Sequence, residues 1–449
     1  MSIASEITRL QNAKTSIKSA IEAKGVTVSS SLKIDEYAAK IAEIPTGGSS
    51  GYSITTNITN GTYSGATVTY PDATGVTVEA VVTLTPNTGY ELIDVTVTNA
   101  THSIDWETGT VTLTHATDNI VITADVRQAS IGLEFQQVSG TNYNVKGIGT
   151  CTDTNIVIPS KTPDGGNVIG IKDTAFQYNE NITTVAIPYG VTSIDDYAFS
   201  DCDSLTSVTT GNGVTSIGEY AFYGCPSLTS VTIGNGVTSI GEYAFDYCSN
   251  LTSVYITDIA KWCAINFSDY NSNPLSYANN LYLNGELITG LIIPDSVTSI
   301  GDFAFEDCTN LTSVTIGNGV TSIGYSAFYD CSNLTSVTIP NSVTSIGSSA
   351  FYDCTNLTSV TIGNGVTSIG YSAFENCNFN DYSVTIYYNG YLSDIMNDST
   401  YISDVITSLY SDFPDLTVTF IDLNETSQDI PLSEFFGGGG SGSGSGSGY

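Results

Sequence analysis

Hydrophobic and polar positions recur every 23 residues between about residues 135 and 390. One complete unit, residues 228–250, reads LTSVTIGNGVTSIGEYAFDYCSN. A period of about 20–29 residues that opens with L-x-x-V-x-I is typical of a leucine-rich-repeat solenoid, in which each unit is completed only by its neighbours. The unit predicts these inward-facing residues: Leu228, Val231, Ile233, Val237, Ile240, Ala244 and Phe245.

The repeat is interrupted once. An Ala-Phe pair marks each unit, and its phenylalanines fall into two evenly spaced sets: Phe176, Phe199, Phe222 and Phe245, then Phe305, Phe328, Phe351 and Phe374. Residues 257–290, TDIAKWCAINFSDYNSNPLSYANNLYLNGELITG, lie between the sets and break the pattern. We interpret them as a structural insertion. The alternative is a bulge of exposed aromatic residues, including Trp262, that contacts a ligand.

These units resemble the BspA-like class of bacterial leucine-rich repeats, whose consensus is I-P/G-x-x-V-T-x-I-G-x-x-A-F-x-x-C. The resemblance implies a solenoid that binds other molecules, and it transfers no catalytic residues. Proteins with such repeats are usually exported.

The flanking segments predict a mainly β chain with six parts. Residues 1–46 have helical periodicity and form a candidate docking or oligomerisation segment. GGSSG at 47–51 is a linker. Residues 52–130 alternate with period two and predict a small antiparallel β domain, a sandwich or β-grasp spacer that resembles internalin-type B-repeats and bacterial Ig-like modules. The solenoid at 135–390 is followed by a strand-helix-strand cap at 391–435 and a Gly/Ser tail at 436–449.

Charge narrows the set of partners. The formal net charge is -34, six of the eleven basic residues lie in the first 40 positions, and none follows Lys261. Nucleic-acid binding needs Lys and Arg to neutralise phosphates, and anionic membranes repel an acidic surface. We therefore expect no nucleic-acid partner and no membrane insertion. The N-terminus has no apolar segment typical of a secretory signal peptide.

Seven of the nine cysteines occupy one repeat position, three residues after the phenylalanine. Stacked rungs place parallel side chains ~4.8 Å apart, which does not suit the convergent geometry of a disulfide. We predict a ladder of buried free thiols, with bridging or metal binding as the alternatives. The ladder comprises Cys202, Cys225, Cys248, Cys308, Cys331, Cys354 and Cys377.

Catalytic motifs are missing from the sequence. The two histidines, His102 and His115, have no nucleophile at a recognisable spacing. The repeated acidic positions, Asp201, Asp307, Asp330 and Asp353, are expected to lie in solvated turns, with cation bridging as the alternative. We predict no catalytic residue, no metal and no cofactor, and hence no enzyme.

The first functional hypothesis is a virion-attached adhesin. The segment EITRLQNAKTSIKSAIEAKGV, followed by KIDEYAAKI, resembles the start of many phage tail and fibre proteins. Residues 1–46 would then hold other virion proteins or form a homo-oligomer, and the solenoid would bind a host-surface glycan or protein. The alternatives are a bacterial cell-surface adhesin and a purely structural virion component. Exposed tyrosines such as Tyr220, Tyr243, Tyr325 and Tyr371 would contribute contacts. The candidate binding residues are Ser230, Thr232, Tyr255, Trp262, Ser313, Thr315, Ser336, Thr338, Ser359 and Thr361.

Overall fold

A computed structural model describes residues 54–65, 80–105, 108–379, 384–388, 395, 405–422 and 426–436. The predicted helical segment 1–46, the linker 47–51 and all but the first residue of the tail lie outside the described residues. Two compact units are present. The first contains the described residues of Met1–Asn87 and Val95–Asp125, and the second those of Thr88–Asp94 and Val126–Tyr449.

The first unit is built on a five-stranded sheet whose alternating residues bury one face. Strand β3 pairs antiparallel with both β2 and β5, as the hairpin-rich sequence predicts. Strand β1, however, pairs with β5 in parallel, from Ile54 opposite Ile120 to Ile58 opposite Ala124. The sheet is therefore mixed, not purely antiparallel as predicted. A long stretch of chain separates β1 from β5, and parallel pairing requires such a long connection. The strands are β1 (Ile54–Ile58), β2 (Gly61–Gly65), β3 (Ala80–Pro86), β4 (Tyr90–Asp105) and β5 (Thr110–Gln128).

The second unit is a solenoid, which confirms the predicted fold class. Each regular rung contributes one strand from its L-T-S-V-T-I segment and a two-residue strand from its V-T-S-I segment. Successive rungs pair in parallel at the 23-residue spacing, as when Ser207 lies opposite Ser230. The strands before the insertion are β6 (Glu134–Ser139), β7 (Asn142–Gly147), β8 (Asn155–Val157), β9 (Asn167–Ile171), β10 (Thr184–Ala186), β11 (Ser193–Ile194), β12 (Ser207–Thr209), β13 (Ser216–Ile217), β14 (Ser230–Thr232), β15 (Ser239–Ile240) and β16 (Ser253–Ile256).

The insertion divides both strand ladders. The two ladders of the first half end at β17 and at the β18–β19 hairpin, and new ladders begin at β20 and β21. We call residues 257–290 the seam. It comprises α1 (Ile259–Cys263), β17 (Asn266–Phe267), a 3-10 turn (Tyr270–Ser272), α2 (Leu275–Ala278), β18 (Leu281–Leu283) and β19 (Glu286–Leu287). Asp258 caps α1, because its carboxylate accepts hydrogen bonds from the backbone of Ala260 and Lys261.

The second half repeats the same ladders and then closes. Strand β29 extends the long ladder in parallel, and β30 pairs antiparallel with β29, which ends the parallel stacking. The elements are β20 (Gly290–Ile293), β21 (Ser299–Ile300), β22 (Ser313–Ile316), β23 (Ser322–Ile323), β24 (Ser336–Ile339), β25 (Ser345–Ile346), β26 (Ser359–Ile362), β27 (Ser368–Ile369), β28 (Val384–Tyr387), α3 (Thr407–Asp412), β29 (Thr417–Ile421), β30 (Ser427–Pro431) and a 3-10 turn (Leu432–Phe436).

The core is a stack of identical residues. The predicted inward positions of rung 228–250 are all buried. Phenylalanine rings of neighbouring rungs lie 4.9–5.4 Å apart and within 14° of parallel in both halves. In regular rungs the phenylalanine N–H donates to the alanine carbonyl of the next rung, as from Phe222 to Ala244. Each rung thus completes both the packing and the hydrogen bonding of its neighbour.

Glycine is required where rungs approach most closely. A Cβ on Gly213 would lie 1.6 Å from the carbonyl oxygen of Tyr189, and one on Gly319 would lie 1.9 Å from that of Asp295. Since no side chain fits at these distances, glycine is required at this turn in these two rungs. Ser296 and Ser342 occupy the equivalent position in two rungs whose turn begins with Pro instead of Gly.

Candidate functional site

Outward-facing serines and threonines form a surface on the longer strand ladder of each half of the solenoid. They alternate with buried valines and isoleucines, so strands β22 and β24 have the pattern exposed-buried-exposed-buried. Parallel pairing places like residues side by side, with Ser336 opposite Ser359 and Thr338 opposite Thr361. We call the eight predicted residues of this face the hydroxyl wall: Ser230, Thr232, Ser313, Thr315, Ser336, Thr338, Ser359 and Thr361.

The hydroxyls of the wall are uncommitted. The threonine that precedes each of these strands donates its Oγ1 to the corresponding threonine carbonyl of the preceding rung, as from Thr335 to Thr312 at 3.2 Å. Within the part of the chain that the structure describes, none of the eight wall hydroxyls makes a hydrogen bond. The threonine before each strand and the threonine within it therefore differ in role. The first joins neighbouring rungs by a hydrogen bond, and the second faces outward.

The wall carries no charge in a strongly acidic protein. The chain has 45 acidic residues, yet the outward register positions of the parallel strands from Asn155 to Tyr387 are Ser, Thr, Asn, Gly, Tyr or Ile, apart from the buried Val157 and Ala186 at the start of the ladder. An uncharged surface bordered by acidic turns favours a neutral polar ligand over an anionic one.

At the seam, apolar side chains replace the wall's threonines. Tyr255 occupies the register position of Thr232 and stacks on Tyr282 with ring centroids 4.8 Å apart. Ile292 occupies the position of Thr315 and is 70% exposed. We call Tyr255, Tyr282 and Ile292 the seam platform. Only Tyr255 was among the predicted contacts. The 23-residue spacing from Thr315 also identifies Ile292, whereas Tyr282 lies outside the regular spacing and is placed by the strand pairing alone.

The prediction that Trp262 contacts a ligand is wrong. Its side chain is 1% exposed, and its Nε1–H donates to the carbonyl oxygen of Ala304 at 2.6 Å. In a regular rung this alanine carbonyl accepts a hydrogen bond from the backbone N–H of the phenylalanine in the preceding rung. The seam places no phenylalanine N–H at this carbonyl. The indole N–H thus substitutes for a missing backbone donor, which helps a segment of irregular sequence to join two regular stacks.

A groove follows the second strand ladder, and the sequence did not predict it. It encloses about 830 Å³ and is lined by serines and glycines, with residues 260–266 of the seam at one end. Ser299 and Ser322 lie in contact within it, with their Oγ atoms 2.9 Å apart. The S-I-G pattern was visible in the sequence, but only the path of the seam makes this face concave. The serines of the groove are Ser296, Ser299, Ser322, Ser345, Ser348 and Ser368.

All nine cysteines are free and buried, the seven of the repeat position among them. Six of those seven donate a thiol hydrogen bond to the phenylalanine carbonyl of the preceding rung, at 3.1–3.3 Å. Burial raises the pKa of the Cys202 and Cys248 thiols to about 12. The geometry therefore makes these residues unreactive at neutral pH.

The acidic residues of the repeat were predicted to lie in solvated turns. The structure confirms this only in part. Asp201, Asp330 and Asp353 are half-buried, but Asp307 is only 8% exposed and its neighbour Glu306 only 3%. The seam covers this turn, since Asn279 donates to the carbonyl oxygen of Asp307 at 3.3 Å. Each carboxylate has one oxygen without a partner, and burial raises the pKa of Glu306 to about 9 and that of Asp307 to about 6.

The described residues contain no group of three or more His, Cys, Asp or Glu that could hold a metal ion. None of the helices described is long and apolar enough to cross a membrane. That the chain is not an enzyme stays a prediction. It is supported by the repetition of the same side chains from rung to rung, which is typical of architecture and not of a single catalytic site.

Comparison with known proteins found similar solved structures. A leucine rich cell surface protein from Faecalibacterium prausnitzii is 23% identical; the match covers 60% of this chain and 96% of that chain, with a TM-score of 0.24. A leucine-rich repeat protein from Bacteroides ovatus is 20% identical; the match covers 65% of this chain and 98% of that chain, with a TM-score of 0.23. The T. pallidum Leucine Rich Repeat protein is 22% identical; the match covers 55% of this chain and 86% of that chain, with a TM-score of 0.28. With identities and TM-scores this low, these likenesses carry no functional argument. No curated protein matches the chain.

The parallel ladders, the stacked phenylalanines and the 23-residue rung together define a leucine-rich-repeat solenoid protein. The family model for the BspA type leucine rich repeat region matches residues 169–282 and 275–397, slightly more than half of the chain. The chain belongs to this family.

Proposed function

We propose that this protein is an adhesin that binds a neutral surface glycan through the hydroxyl wall and the seam platform. The observation that carries the proposal is the uncharged wall of free hydroxyls on a chain of net charge -34. A glycan presents hydroxyls that can exchange hydrogen bonds with Ser and Thr, and apolar ring faces that can stack on Tyr255. Anionic ligands are disfavoured by the acidic turns that border the wall.

Repetition supports binding rather than catalysis at this site. A wall of identical hydroxyls offers many weak contacts at a spacing of ~4.8 Å per rung, and such contacts add avidity for a repetitive polymer. The wall itself offers no acid, base or nucleophile with a partner group to activate it. A surface protein bound through the same wall is the alternative ligand.

The test uses the full chain on immobilised neutral, acidic and basic glycans. We expect binding to neutral glycans, and we expect Tyr255→Thr together with Tyr282→Thr to weaken it about tenfold, as for loss of an aromatic contact. Threonine is the regular residue of that register position, so the fold should persist. Tyr63→Thr, which removes an exposed tyrosine from strand β2 of the first unit, is the matched control and should leave binding unchanged. Failure to bind any neutral glycan, or equal loss in the control, contradicts the proposal.

We further propose that the adhesin is displayed on a virion, with residues 1–46 docking to other virion proteins. The support is the resemblance of this segment to the start of phage tail and fibre proteins. Density-gradient fractionation with an antibody against the solenoid tests the location. Co-sedimentation with phage particles supports the proposal, whereas protein on intact bacteria and not on particles identifies a bacterial cell-surface adhesin.

A further inference from the structure

A row of stacked tyrosines lies outside the hydroxyl wall, at the repeat position two residues before each phenylalanine. The rings of Tyr197 and Tyr220 lie 4.8 Å apart, and those of Tyr220 and Tyr243 lie 5.1 Å apart. Tyr223 packs edge-on against Tyr220, and Tyr247 packs edge-on against Tyr223. Five rings therefore form one continuous aromatic patch over three rungs. Tyr247 is 62% exposed, and Tyr197 is 37% exposed at the end of the row.

Carboxylates border the rings. The residue before each tyrosine of the row is acidic, and all three acidic residues, Asp196, Glu219 and Glu242, are exposed. Partial burial, the neighbouring phenols and then the charges of Glu242 and Glu219 raise the pKa of the Tyr220 phenol, so these charges lie close to the row. No Lys, Arg or His occurs between Lys172 and Lys261, so no basic residue of the surrounding rungs neutralises this surface.

The fold does not require a tyrosine at this position, although Asp196 has a structural contact as well, since its carboxylate accepts the N–H of Glu219 at 2.8 Å. In every rung this position has a left-handed backbone, yet Thr174, Ser326, Ser349 and Ser372 adopt it as well as tyrosine does. A bulky residue at positive φ is uncommon. The acid-tyrosine pair occurs in three consecutive rungs and in none of the four after the seam, where the corresponding dipeptides begin at Asp302, Tyr325, Ser348 and Tyr371. A feature needed for stacking would recur throughout the solenoid.

We propose that this acid-tyrosine patch, defined by Asp196, Tyr197, Glu219, Tyr220, Glu242 and Tyr243 with Tyr223 and Tyr247, binds a cationic polypeptide segment. Carboxylates pair with both Lys and Arg. Aromatic rings add attraction for a planar guanidinium, which stacks on them and is more weakly hydrated than an ammonium. The patch therefore selects arginine-rich segments over lysine-rich ones. It is a second surface, and the inference does not depend on glycan binding by the wall.

The probes are octa-arginine and octa-lysine peptides, and affinity is measured for the full chain by fluorescence anisotropy at about 0.15 M salt, where the Debye length is about 8 Å. A chain of this net charge attracts any polycation, so the decisive comparison is between variants of equal charge. Glu219→Gln with Glu242→Gln should weaken octa-arginine binding about fivefold, as for loss of two exposed ion pairs. Glu180→Gln with Glu286→Gln neutralises two exposed glutamates outside the patch and should change affinity less than about twofold, since distant exposed charges are screened.

The tyrosines are tested separately. In the wild-type chain we expect octa-arginine to bind about threefold more tightly than octa-lysine, as for one exposed cation–π contact. Replacing Tyr197, Tyr220 and Tyr243 by serine, the residue that three later rungs use at this position, should abolish that preference. Equal weakening by the two glutamate pairs, or a preference for arginine that survives the serine substitutions, overturns the proposal. Because the glutamate variants leave the rings intact, they decide the question even if the serine variant folds poorly.

Discussion

Replacing Trp262 by phenylalanine should weaken the solenoid at the seam. The indole is almost fully buried, and its Nε1–H is the donor that satisfies the carbonyl oxygen of Ala304, a residue with no exposed surface. Phenylalanine preserves much of the apolar contact with Phe267, whose ring centroid lies 5.3 Å from that of the indole. The substitution therefore removes mainly one of the hydrogen bonds between the seam and the second half.

The expected loss has two parts. A buried carbonyl left without a partner costs about 1–3 kcal/mol. The removed part of the indole corresponds to one or two buried methylene groups, at about 0.8 kcal/mol each. We expect the free energy of unfolding to fall by about 2–5 kcal/mol in sum.

The assay combines urea unfolding, followed by circular dichroism, with hydrogen exchange detected by mass spectrometry. Since contacts in a solenoid are between nearest neighbours, protection should fall in peptides from α1 and from residues 299–308, and much less in rungs 322–370. Replacement of Trp262 by isosteric benzothienylalanine, which lacks only the N–H donor, isolates the hydrogen-bond contribution. A loss below about 1 kcal/mol in both variants would refute the reasoning, because it falls beneath the cost of one unsatisfied buried group.

Three further outcomes follow from the core. Phe328→Ala should cost about 3–5 kcal/mol in urea unfolding, because the ring is fully buried between two others; Tyr325→Ala, a change at an exposed tyrosine, is the control. The native protein should not react with a thiol-specific disulfide reagent at pH 8, and unfolding should release nine reactive thiols; reaction in the folded state would contradict the buried ladder. The pKa of Glu306 is raised to about 9 from its ordinary 4.5, so its contribution to stability is present below about pH 4.5 and declines as pH rises towards 9. Glu306→Gln should therefore raise the melting temperature at pH 8 and change it little at pH 4, and an equal effect at both would refute the assignment.

Much of the solenoid could be predicted because its determinants are local and repeated. The period located the phenylalanine stack, the inward Leu, Val and Ile residues and the outward Ser and Thr of the wall. In a parallel ladder each residue lies beside its equivalent in the next rung, so periodicity in sequence becomes register in space. The same argument placed Tyr255 on the wall.

The errors fall where the period fails. Trp262 was expected on the surface because an aromatic residue in an irregular polar segment has no repeat position to assign it to the core. Asp307 was expected in a solvated turn because it shares a repeat position with other acidic residues. Its equivalents in later rungs are partly solvated, whereas the seam covers Asp307. No local pattern indicates which turn a distant insertion covers.

By itself, the sequence determined the rung: its length, its buried face, its free hydroxyls and the close approaches that demand glycine. These follow from side-chain volume, polarity and spacing, which are properties of neighbouring residues. Tertiary structure alone decided how the two halves join, which carboxylates lose their water and where the serine groove is deep. Those features depend on contacts between residues about 30–40 positions apart in irregular sequence, such as Trp262 and Ala304, whose meeting is fixed by the packing of the whole seam.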